Sequence, residues 1–268
     1  MKISIVTISY NSELHIRQTI QSVLSQSHQD IEYIIIDGLS TDTTMDIVSE
    51  YKNLIDSVIT EKDSGMYDAY NKGSKLATGD YILYLNSDDY LYNDNVIETI
   101  CKQIEECDSN PKLVAAQSNV VIDGTIIPDW EIPASREWCH KLDPMLPSLL
   151  VHKDIYKNIL FDGSCALGGD SDFYLRLRDL GIFDISFKKT LMTCFRMGGV
   201  STNTHKIRYY ALEKEMFNYK LTGKIRISRL LLNYFLGYIK IITIRLLGDR
   251  NYYTKVLFPL YLLRRKTF

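Results

Sequence analysis

Residues 61–89 read EKDSGMYDAYNKGSKLATGDYILYLNSDD, and this stretch decides the fold. Its first part, Gly65–Ala77, has the pattern of a helix, and the apolar run Tyr81–Leu85 predicts a buried strand. Asp88 and Asp89 follow that strand directly. Open parallel sheets bind ligands beyond the carboxyl ends of their strands. The two carboxylates are therefore predicted to lie at a ligand-binding edge.

The segments before and after this stretch alternate strands with helices. Further strands are predicted at Ile3–Ile8, Ile31–Ile36 and Val58–Thr60. Helical spacing of apolar residues follows the first strand (Ile16, Ile20, Val23), the second (Met45, Val48, Tyr51) and the run Tyr81–Leu85 (Val96, Ile100, Ile104). This order predicts an α/β fold with a mostly parallel sheet flanked by helices.

The second half of the chain is less regular. Residues 113–122 predict a strand, Asp123-Gly124 a hairpin turn, and a helix is predicted to begin at Asp170. We expect a catalytic unit over residues 1–204, made of a nucleotide-binding half (1–110) and an acceptor half (111–204). Residues 205–268 are expected to form a basic helical extension.

Composition and charge exclude several classes of protein. The 268 residues are 46% hydrophobic and 24% charged, which excludes collagen, a disordered tail protein and a small disulfide scaffold. The net charge of −2 is unevenly distributed. Residues 1–205 carry 17 Lys and Arg against 30 Asp and Glu, whereas residues 206–268 carry 14 against 3. A body of −13 with a tail of +11 predicts an anionic partner near the C-terminus.

The cysteines and the N-terminus indicate a reducing compartment. The five cysteines form no C-x-x-C pair and no His cluster accompanies them, so neither a zinc site nor a disulfide framework is expected. The opening MKISIVTISYNS lacks the features of a signal peptide and is predicted to be a buried strand.

The basic tail contains the one membrane candidate, residues 225–247. Basic residues such as Arg226, Arg229 and Lys240 recur along one helical face, and apolar residues such as Leu231 and Phe235 lie opposite. This pattern favours a helix lying on an anionic membrane surface over one that spans it. The alternative is a helix that packs on its own domain. Nucleic-acid binding is less favoured because the tail is dense in leucine and isoleucine.

Two nucleotide-binding signatures are absent. The sequence contains neither G-x-G-x-x-G nor G-x-x-x-x-G-K-[ST], which weighs against a nicotinamide enzyme and a kinase. Asp88 and Asp89 are instead suited to a hard divalent cation that bridges to phosphates. For Asp88, Asp89 and Asp37 alike, a polar turn that stops a strand is the alternative.

Several stretches together resemble family 2 glycosyltransferases, inverting enzymes with the nucleotide-binding fold called GT-A. The resemblance rests on ISIVTISYNS, YIIIDGLSTDTT, the run from Glu61 to Asp89, and LGGDSDFYLRL, in family order. It is closest to the branch that builds bacterial surface polysaccharides.

The resemblance implies a nucleotide site at the strand ends. It assigns residues 7–11, including Thr7, Ser9 and Asn11, to the uracil, with Tyr10 as the stacking partner. Asp37 would hydrogen-bond the nucleoside.

The following helix and acidic loop would hold the rest of the donor. Asp68 and Asn71 would flank the ribose and donor sugar. Lys72 is a candidate for the charge of the family's arginine, because Tyr70 stands in its place. Asn86, Ser87 and Asp88 would replace the D-x-D motif, with Asp88 as the ligand of Mn²⁺ or Mg²⁺ and Asp89 in support.

The catalytic base implied by the resemblance is Asp170. Gly169 replaces the glutamate that precedes the base in the family. Asp172 is a rival base, and capping of the helix is the alternative role for Asp170. Arg196, followed by Gly198–Ser201, would close over the donor phosphates, or simply form a turn. Trp130, Trp138, Gly169 and Gly199 are assigned to the acceptor side, with a core position as the alternative for each tryptophan.

The activity implied is transfer of a hexose or N-acetylhexosamine from a UDP-sugar to a lipid-pyrophosphate-linked saccharide, as in O-antigen or capsule assembly. The Q-x-x-R-W motif of processive synthases is absent, so one sugar would be added, in β-linkage. The enzyme would act in the cytoplasm at the inner face of the membrane. A sugar-phosphate nucleotidyltransferase and a non-catalytic carbohydrate-binding module are the alternatives.

Overall fold

The computed structural model describes residues 1–135 and 143–199, together with residues 231, 235, 239, 240, 242–244, 246, 247, 253–257 and 259. The strands are β1 Ile3–Ser9, β2 Ile31–Asp37, β3 Ser57–Thr60, β4 Tyr81–Tyr84, β5 Tyr90–Leu91, β6 Leu113–Ile122, β7 Thr125–Ile132, β8 Leu149–His152 and β9 Ile185–Arg196. The helices among them are α1 Ile16–Leu24, α2 Thr44–Glu50, α3 Met66–Leu76, α4 Val96–Glu105, α5 Lys153–Tyr156 and α6 Gly169–Asp179. A 3-10 turn spans Leu146–Ser148 and a π-helical turn spans Tyr253–Leu257.

The first four strands form the parallel part of one sheet. They lie in the order β3-β2-β1-β4, and every pair of neighbours is parallel. Strands that run parallel need helical crossovers, and α1, α2 and α3 supply them. The predicted α/β class and the predicted strands of this half are confirmed.

Helices cover both faces of this parallel part. Alternate residues such as Ile5 and Ile35 pack with α1 and α4 in one apolar cluster. Their neighbours, such as Val6 and Ile34, pack with α3 and α6 in a second cluster that includes Phe173. Burial on both faces explains why β1 and β2 read as continuous apolar runs.

The second half extends the sheet as a mixed one. β8 is antiparallel to β4 and to β6, β9 is parallel to β6, and β5 is antiparallel to β9. The predicted hairpin is confirmed, because β7 returns along β6 through Asp123 and Gly124, whose φ angles are 48° and 76°. A two-residue hairpin turn requires such left-handed angles.

The C-terminal part contacts the outer end of β6 and β7. Tyr253 is buried with Val120, Ile122 and Trp130, and Ile244 packs against the same cluster. The predicted boundary between residues 204 and 205 lies outside the described residues, so the division into two units stays a prediction.

Strand register places the ends of β1, β2 and β4 at one edge. Ser9 and Asp37, the last residues of β1 and β2, are paired. Asn86–Asp89 follow β4 at the same edge, where Leu85 still donates its backbone N–H to Val6. The candidate site is built there.

Candidate functional site

Asp37 joins the loops that follow β1 and β2. Its side chain is buried, and Oδ1 accepts hydrogen bonds from the hydroxyls of Ser9 (2.9 Å) and Ser40 (2.5 Å). Oδ2 accepts the backbone N–H of Ser40 at 2.9 Å. Asn11 continues the link, because its Oδ1 accepts the backbone N–H of Thr41 at 2.8 Å. Ser9, Asn11 and Asp37 therefore lie together as expected and shape one rim of the site.

Tyr10 is the exposed aromatic residue of this rim. Its side chain is 62% exposed and lies beside Gly38. Thr7 does not share this surface, because its hydroxyl is buried 3.2 Å from the Tyr33 hydroxyl. Sequence reasoning missed Asp63, whose carboxylate lies against Gly38 and whose pKa is raised by burial. Its position in the run from Glu61 to Asp89 was the signal that could have identified it.

The polar residues of α3 are engaged by the protein itself. The Asn71 amide exchanges two hydrogen bonds, both 2.9 Å, with the backbone of Phe161. Lys72 Nζ lies 2.9 Å from Glu61 Oε1 and 3.5 Å from Asp68 Oδ2. These contacts fix the segment before α3 and the segment around Phe161. Contacts of these residues with a nucleotide stay predictions.

The acidic loop after β4 is held by Arg196. Asp89 is buried; its Oδ1 accepts the backbone N–H of Arg196 at 2.9 Å, and its Oδ2 accepts the Asn86 amide at 3.3 Å. The Arg196 guanidinium donates to the Asp88 carbonyl (2.9 Å) and to Gln18 Oε1 (2.7 Å). Ser87 is anchored by a 2.7 Å hydroxyl contact with Ser12. Arg196 thus positions the loop through β9, a strand the sequence did not reveal.

Asp88 differs from Asp89 in its partners. No side chain of the described residues donates a hydrogen bond to the Asp88 carboxylate, although His15 and Arg196 lie close enough to influence it. Burial raises the pKa of Asp88, and burial together with the Asp88 charge raises the pKa of Asp89 further. Gly199 approaches Asp88 so closely that a Cβ there would overlap the carboxylate.

This geometry fits a divalent cation held at Asp88. Mg²⁺ and its analogues are commonly bound by one or two carboxylates together with substrate phosphates and water. No group of three His, Cys, Asp or Glu side chains that could hold a metal occurs in residues 1–135, 143–199 or the described part of the tail. Water and substrate phosphates are the usual further ligands of a cation bound through one carboxylate.

Asp170 lies in the first turn of α6. Gly168 holds the N-cap position and has no side chain, so Asp170 is not the N-cap residue, although its carboxylate serves one of the free N–H groups of the first turn. Asp170 Oδ1 accepts the backbone N–H of Ser171 at 2.8 Å. Burial raises the pKa of this carboxyl to about 6, and the charge of Asp143 adds to the effect.

The rival base, Asp172, has a cationic partner. Its side chain is buried, and Oδ2 accepts Arg176 Nε at 2.8 Å. Arg176 in turn donates to the carbonyl of Leu160 at 2.8 Å. Asp172 thus secures α6, whereas Asp170 forms no ion pair in the described part of the chain.

Two tyrosines one turn apart on α3 connect the acidic groups. The Tyr67 hydroxyl lies 3.4 Å from Asp170 Oδ1, and the Tyr70 hydroxyl donates to Asn86 Oδ1. Burial, followed by the charges of Asp170, Asp89 and Asp88, raises the pKa of Tyr70. All three carboxylates therefore lie within electrostatic reach of one hydroxyl, which brings the predicted base and the predicted metal ligand to one side of α3.

The residues assigned to the acceptor do not form one cluster in the described part of the chain. Trp130 is buried in the cluster with Tyr253, so it has the core position that the sequence left open. Trp138, Val200 and Ser201 lie outside the described residues. Gly169 is buried under the Tyr67 ring, and Gly199 is beside Asp88.

The cysteines and the helices of the chain are described in part. The four described cysteines are free thiols, and Cys139 lies outside the described residues. Among the helices that could be searched, none is both long and apolar enough to span a bilayer.

Comparison with known proteins identifies the family. The family model of glycosyl transferase family 2 matches residues 4–168. The chain belongs to this family. The match includes Asp37, Asp88 and α3 and ends just before Asp170.

Two relatives are glycosyltransferases whose names refer to teichuronic acid and to poly(ribitol-phosphate). TuaG of Bacillus subtilis, named for teichuronic acid biosynthesis, is 43% identical over 90 residues, 32% of this chain and 36% of TuaG. A poly(ribitol-phosphate) beta-glucosyltransferase of Bacillus spizizenii is 39% identical over 97 residues, 34% of this chain and 15% of that protein. The matched stretches thus span well under half of these relatives.

Solved structures share the GT-A fold. S. aureus TarS superposes with a TM-score of 0.64 at 19% identity, covering 96% of this chain and 75% of the solved chain. A complex of TarS with UDP-GlcNAc superposes with a TM-score of 0.58 at 21% identity, covering 80% of this chain and 66% of the solved chain. The mannosyltransferase PcManGT of Pyrobaculum calidifontis, solved with GDP-Man and Mn²⁺, superposes with a TM-score of 0.62 at 14% identity. The match covers 89% of this chain and 70% of the solved chain.

Gly169→Ala tests the packing of Tyr67 on α6. An added Cβ would lie 2.8–2.9 Å from three carbons of the buried Tyr67 ring. Overpacking of this kind costs about 1–3 kcal/mol, so we expect a Tm lower by roughly 2–10 °C despite the better helix propensity of alanine.

Gly163→Ala is the matched control, because a Cβ there meets no atom within 4 Å. Thermal unfolding followed by circular dichroism measures both variants. Equal Tm values for Gly169→Ala and Gly163→Ala would contradict the close contact.

Proposed function

We propose that this chain is an inverting glycosyltransferase that moves one sugar from a UDP-sugar to a lipid-pyrophosphate-linked saccharide in surface polysaccharide assembly. The observation that carries the proposal is that Asp88 and Asp170 both lie near the tyrosines of helix α3. The first carboxylate has no side-chain donor in the described residues, and the second has its pKa raised to about 6.

Asp170 would act as the general base. A carboxylate with a pKa near 6 is largely ionised at pH 7 and is a stronger base than an ordinary aspartate. It would take the proton from the acceptor hydroxyl as that oxygen forms a bond to the anomeric carbon. The bond between this carbon and the UDP oxygen breaks on the opposite face, which inverts an α-linked donor to a β-linked product.

The acidic loop would hold the donor diphosphate through a cation. Asp88 would be the protein ligand, and Asp89 and Arg196 would keep the loop in place. When bound, Mn²⁺ or Mg²⁺ would neutralise the charge that develops on the UDP leaving group. The neighbour solved with GDP-Man and Mn²⁺ supports a divalent cation in this fold.

The rim formed around Asp37 would bind the nucleoside. Tyr10 offers an exposed ring for stacking, and Ser9, Asn11 and Asp37 lie beside it. TarS was solved with UDP and with UDP-GlcNAc, which favours a uridine donor. The named relatives favour a surface polymer as the product.

A nucleotide-sugar screen tests the activity. The purified full chain is incubated with UDP-, GDP- and TDP-sugars, Mn²⁺, and a polyprenyl-pyrophosphate-GlcNAc acceptor, and release of the nucleoside diphosphate is measured. We expect release from a UDP-sugar, dependent on both metal and acceptor. Asp88→Asn should reduce it about 10²-fold or more, as is usual for loss of an electrostatic contact in the transition state.

Two results would count against the proposal. Release from a GDP- or TDP-sugar alone would exclude a UDP-sugar donor. An Asp88→Asn variant with full, metal-dependent activity would exclude Asp88 as the metal ligand.

The tail would hold the enzyme at an anionic membrane surface. Leu231, Phe235 and Leu246 are helical and 64%, 60% and 78% exposed, and in a continuous helix their spacing would place them on one face. Ile244 packs on the domain instead. The sequence surrounds this exposed face with the basic residues that give the tail its charge of +11. An exposed apolar face with flanking cations is the pattern of an interfacial helix.

Charged substitutions on this face test the membrane proposal without removing Tyr253 from the core. We expect the full chain to sediment with vesicles of phosphatidylglycerol and phosphatidylcholine. Leu231→Glu/Phe235→Glu should remain largely in the supernatant. Leu54→Glu/Leu180→Glu, at equally exposed sites elsewhere, is the control. If both double variants partition like the parent chain, the tail does not bind the lipid.

A further inference from the structure

Tyr67 is a buried tyrosine whose polar and apolar parts both contact the segment that carries Asp170. Its hydroxyl donates to the Leu167 carbonyl at 2.6 Å and lies 3.4 Å from Asp170 Oδ1. Its ring covers Gly169, and a side chain at that position would overlap the ring carbons. The Tyr67 side chain therefore contacts three residues of one short segment: Leu167, Gly169 and Asp170.

We propose that Tyr67 is a positioning residue for the Asp170 carboxylate, and that Gly169 is present because the Tyr67 ring occupies the space of a side chain there. This inference rests on the proposed role of Asp170 as the base. It adds a residue of α3, about a hundred positions earlier in the chain, to the machinery that orients that base.

The position of the ring explains why the hydroxyl can reach the start of α6. The first N–H groups of a helix have no partner within the helix. The Tyr67 hydroxyl shares its one proton between two acceptors, the Leu167 carbonyl at 2.6 Å and Asp170 Oδ1 at 3.4 Å. The hydroxyl thus contacts both the residue before the N-cap Gly168 and the carboxylate of the first turn of α6.

Packing holds the ring in place. It meets Tyr70 edge-on with centroids 5.9 Å apart, and Phe161 at 5.7 Å. Phe161 is in turn fixed by the Asn71 amide. The hydroxyl therefore has little freedom to move away from Asp170, which is the property a positioning residue requires.

The groups around Asp170 set the direction of the expected titration change. Tyr67 and Tyr70 face it from α3, Asp143 faces it from the segment before the 3-10 turn, and Asp172 lies on its own helix. Asp143 is itself paired with Arg178 at 2.8 Å. The Tyr67 hydroxyl stabilises the ionised form of Asp170, so its removal should raise the pKa of that carboxyl.

Tyr67→Phe keeps the ring and removes the hydroxyl. The full chain, labelled with ¹³C at aspartate side-chain carboxyls, is titrated by NMR, and the Asp170 signal is assigned by its absence in Asp170→Asn. We expect the midpoint of Asp170 to move upward by about 0.5 pH unit, less than for a full hydrogen bond because the 3.4 Å contact shares its proton with the Leu167 carbonyl. The acid limb of UDP release should move by the same amount.

Tyr84→Phe is the matched control. Its hydroxyl is also buried and donates to a backbone carbonyl, that of Tyr70 at 3.0 Å, and no contact joins it to Asp170. The Asp170 midpoint should be unchanged in this variant. Should Tyr67→Phe fail to fold, Gly169→Ala, which displaces the ring, is expected to move the midpoint upward as well.

An Asp170 midpoint that is the same in Tyr67→Phe and in the parent chain would overturn the inference. So would an equal shift in Tyr84→Phe, because the effect would then be general to the core. The titration needs no turnover. Failure of the nucleotide-sugar screen would therefore refute the proposed function while leaving the contact between Tyr67 and Asp170 to be judged by NMR.

Discussion

The site depends on how carboxylates are kept at one edge of a buried sheet. A carboxylate removed from water is costly unless hydrogen bonds or cations compensate it. Asp37 receives three hydrogen bonds, Asp89 is held by Arg196 and Asn86, and Asp172 is paired with Arg176. In the described part of the chain, Asp88 and Asp170 form no ion pair. Asp37 and Asp172 are the compensated acids, and they shape the structure. Asp89 is buried as the support of the acidic loop. Asp88, which has no side-chain donor among the described residues, and Asp170, which meets only the Ser171 N–H and the Tyr67 hydroxyl there, are the candidates for chemistry.

The parallel half of the fold was predictable because its signals are local. Continuous apolar runs gave β1, β2 and β4, and the positions of Asp37 and Asp88 followed from where those strands end. β8 and β9 were not identified, since β8 is short and the middle of β9 carries Lys188 and Lys189. Their pairing with β4 and β6 is long-range, and no local pattern encodes it.

The roles of individual polar residues were less predictable for the same reason. Motif position indicated Asn71 and Lys72 as donor contacts, yet the amide of one holds the Phe161 backbone and the ammonium of the other holds Glu61. Trp130 is buried because a tail residue, Tyr253, covers it. Two residues that depart from the family pattern lie in contacts that form only in three dimensions. Gly169 leaves room for the Tyr67 ring, and Asn86 donates its amide to Asp89, which an ionised aspartate could not do.

The comparison of Asp170→Asn with Asp172→Asn tests the central claim most directly. Initial rates of UDP release and the Kd for UDP are measured for both variants. Asp170→Asn should lower the rate about 10²–10⁴-fold and leave UDP binding unchanged, because only the proton acceptor is lost. Asp172→Asn should keep most of the rate and lose thermal stability, because its ion pair with Arg176 secures α6. Retained turnover in Asp170→Asn, or an equal loss in Asp172→Asn, would contradict this account.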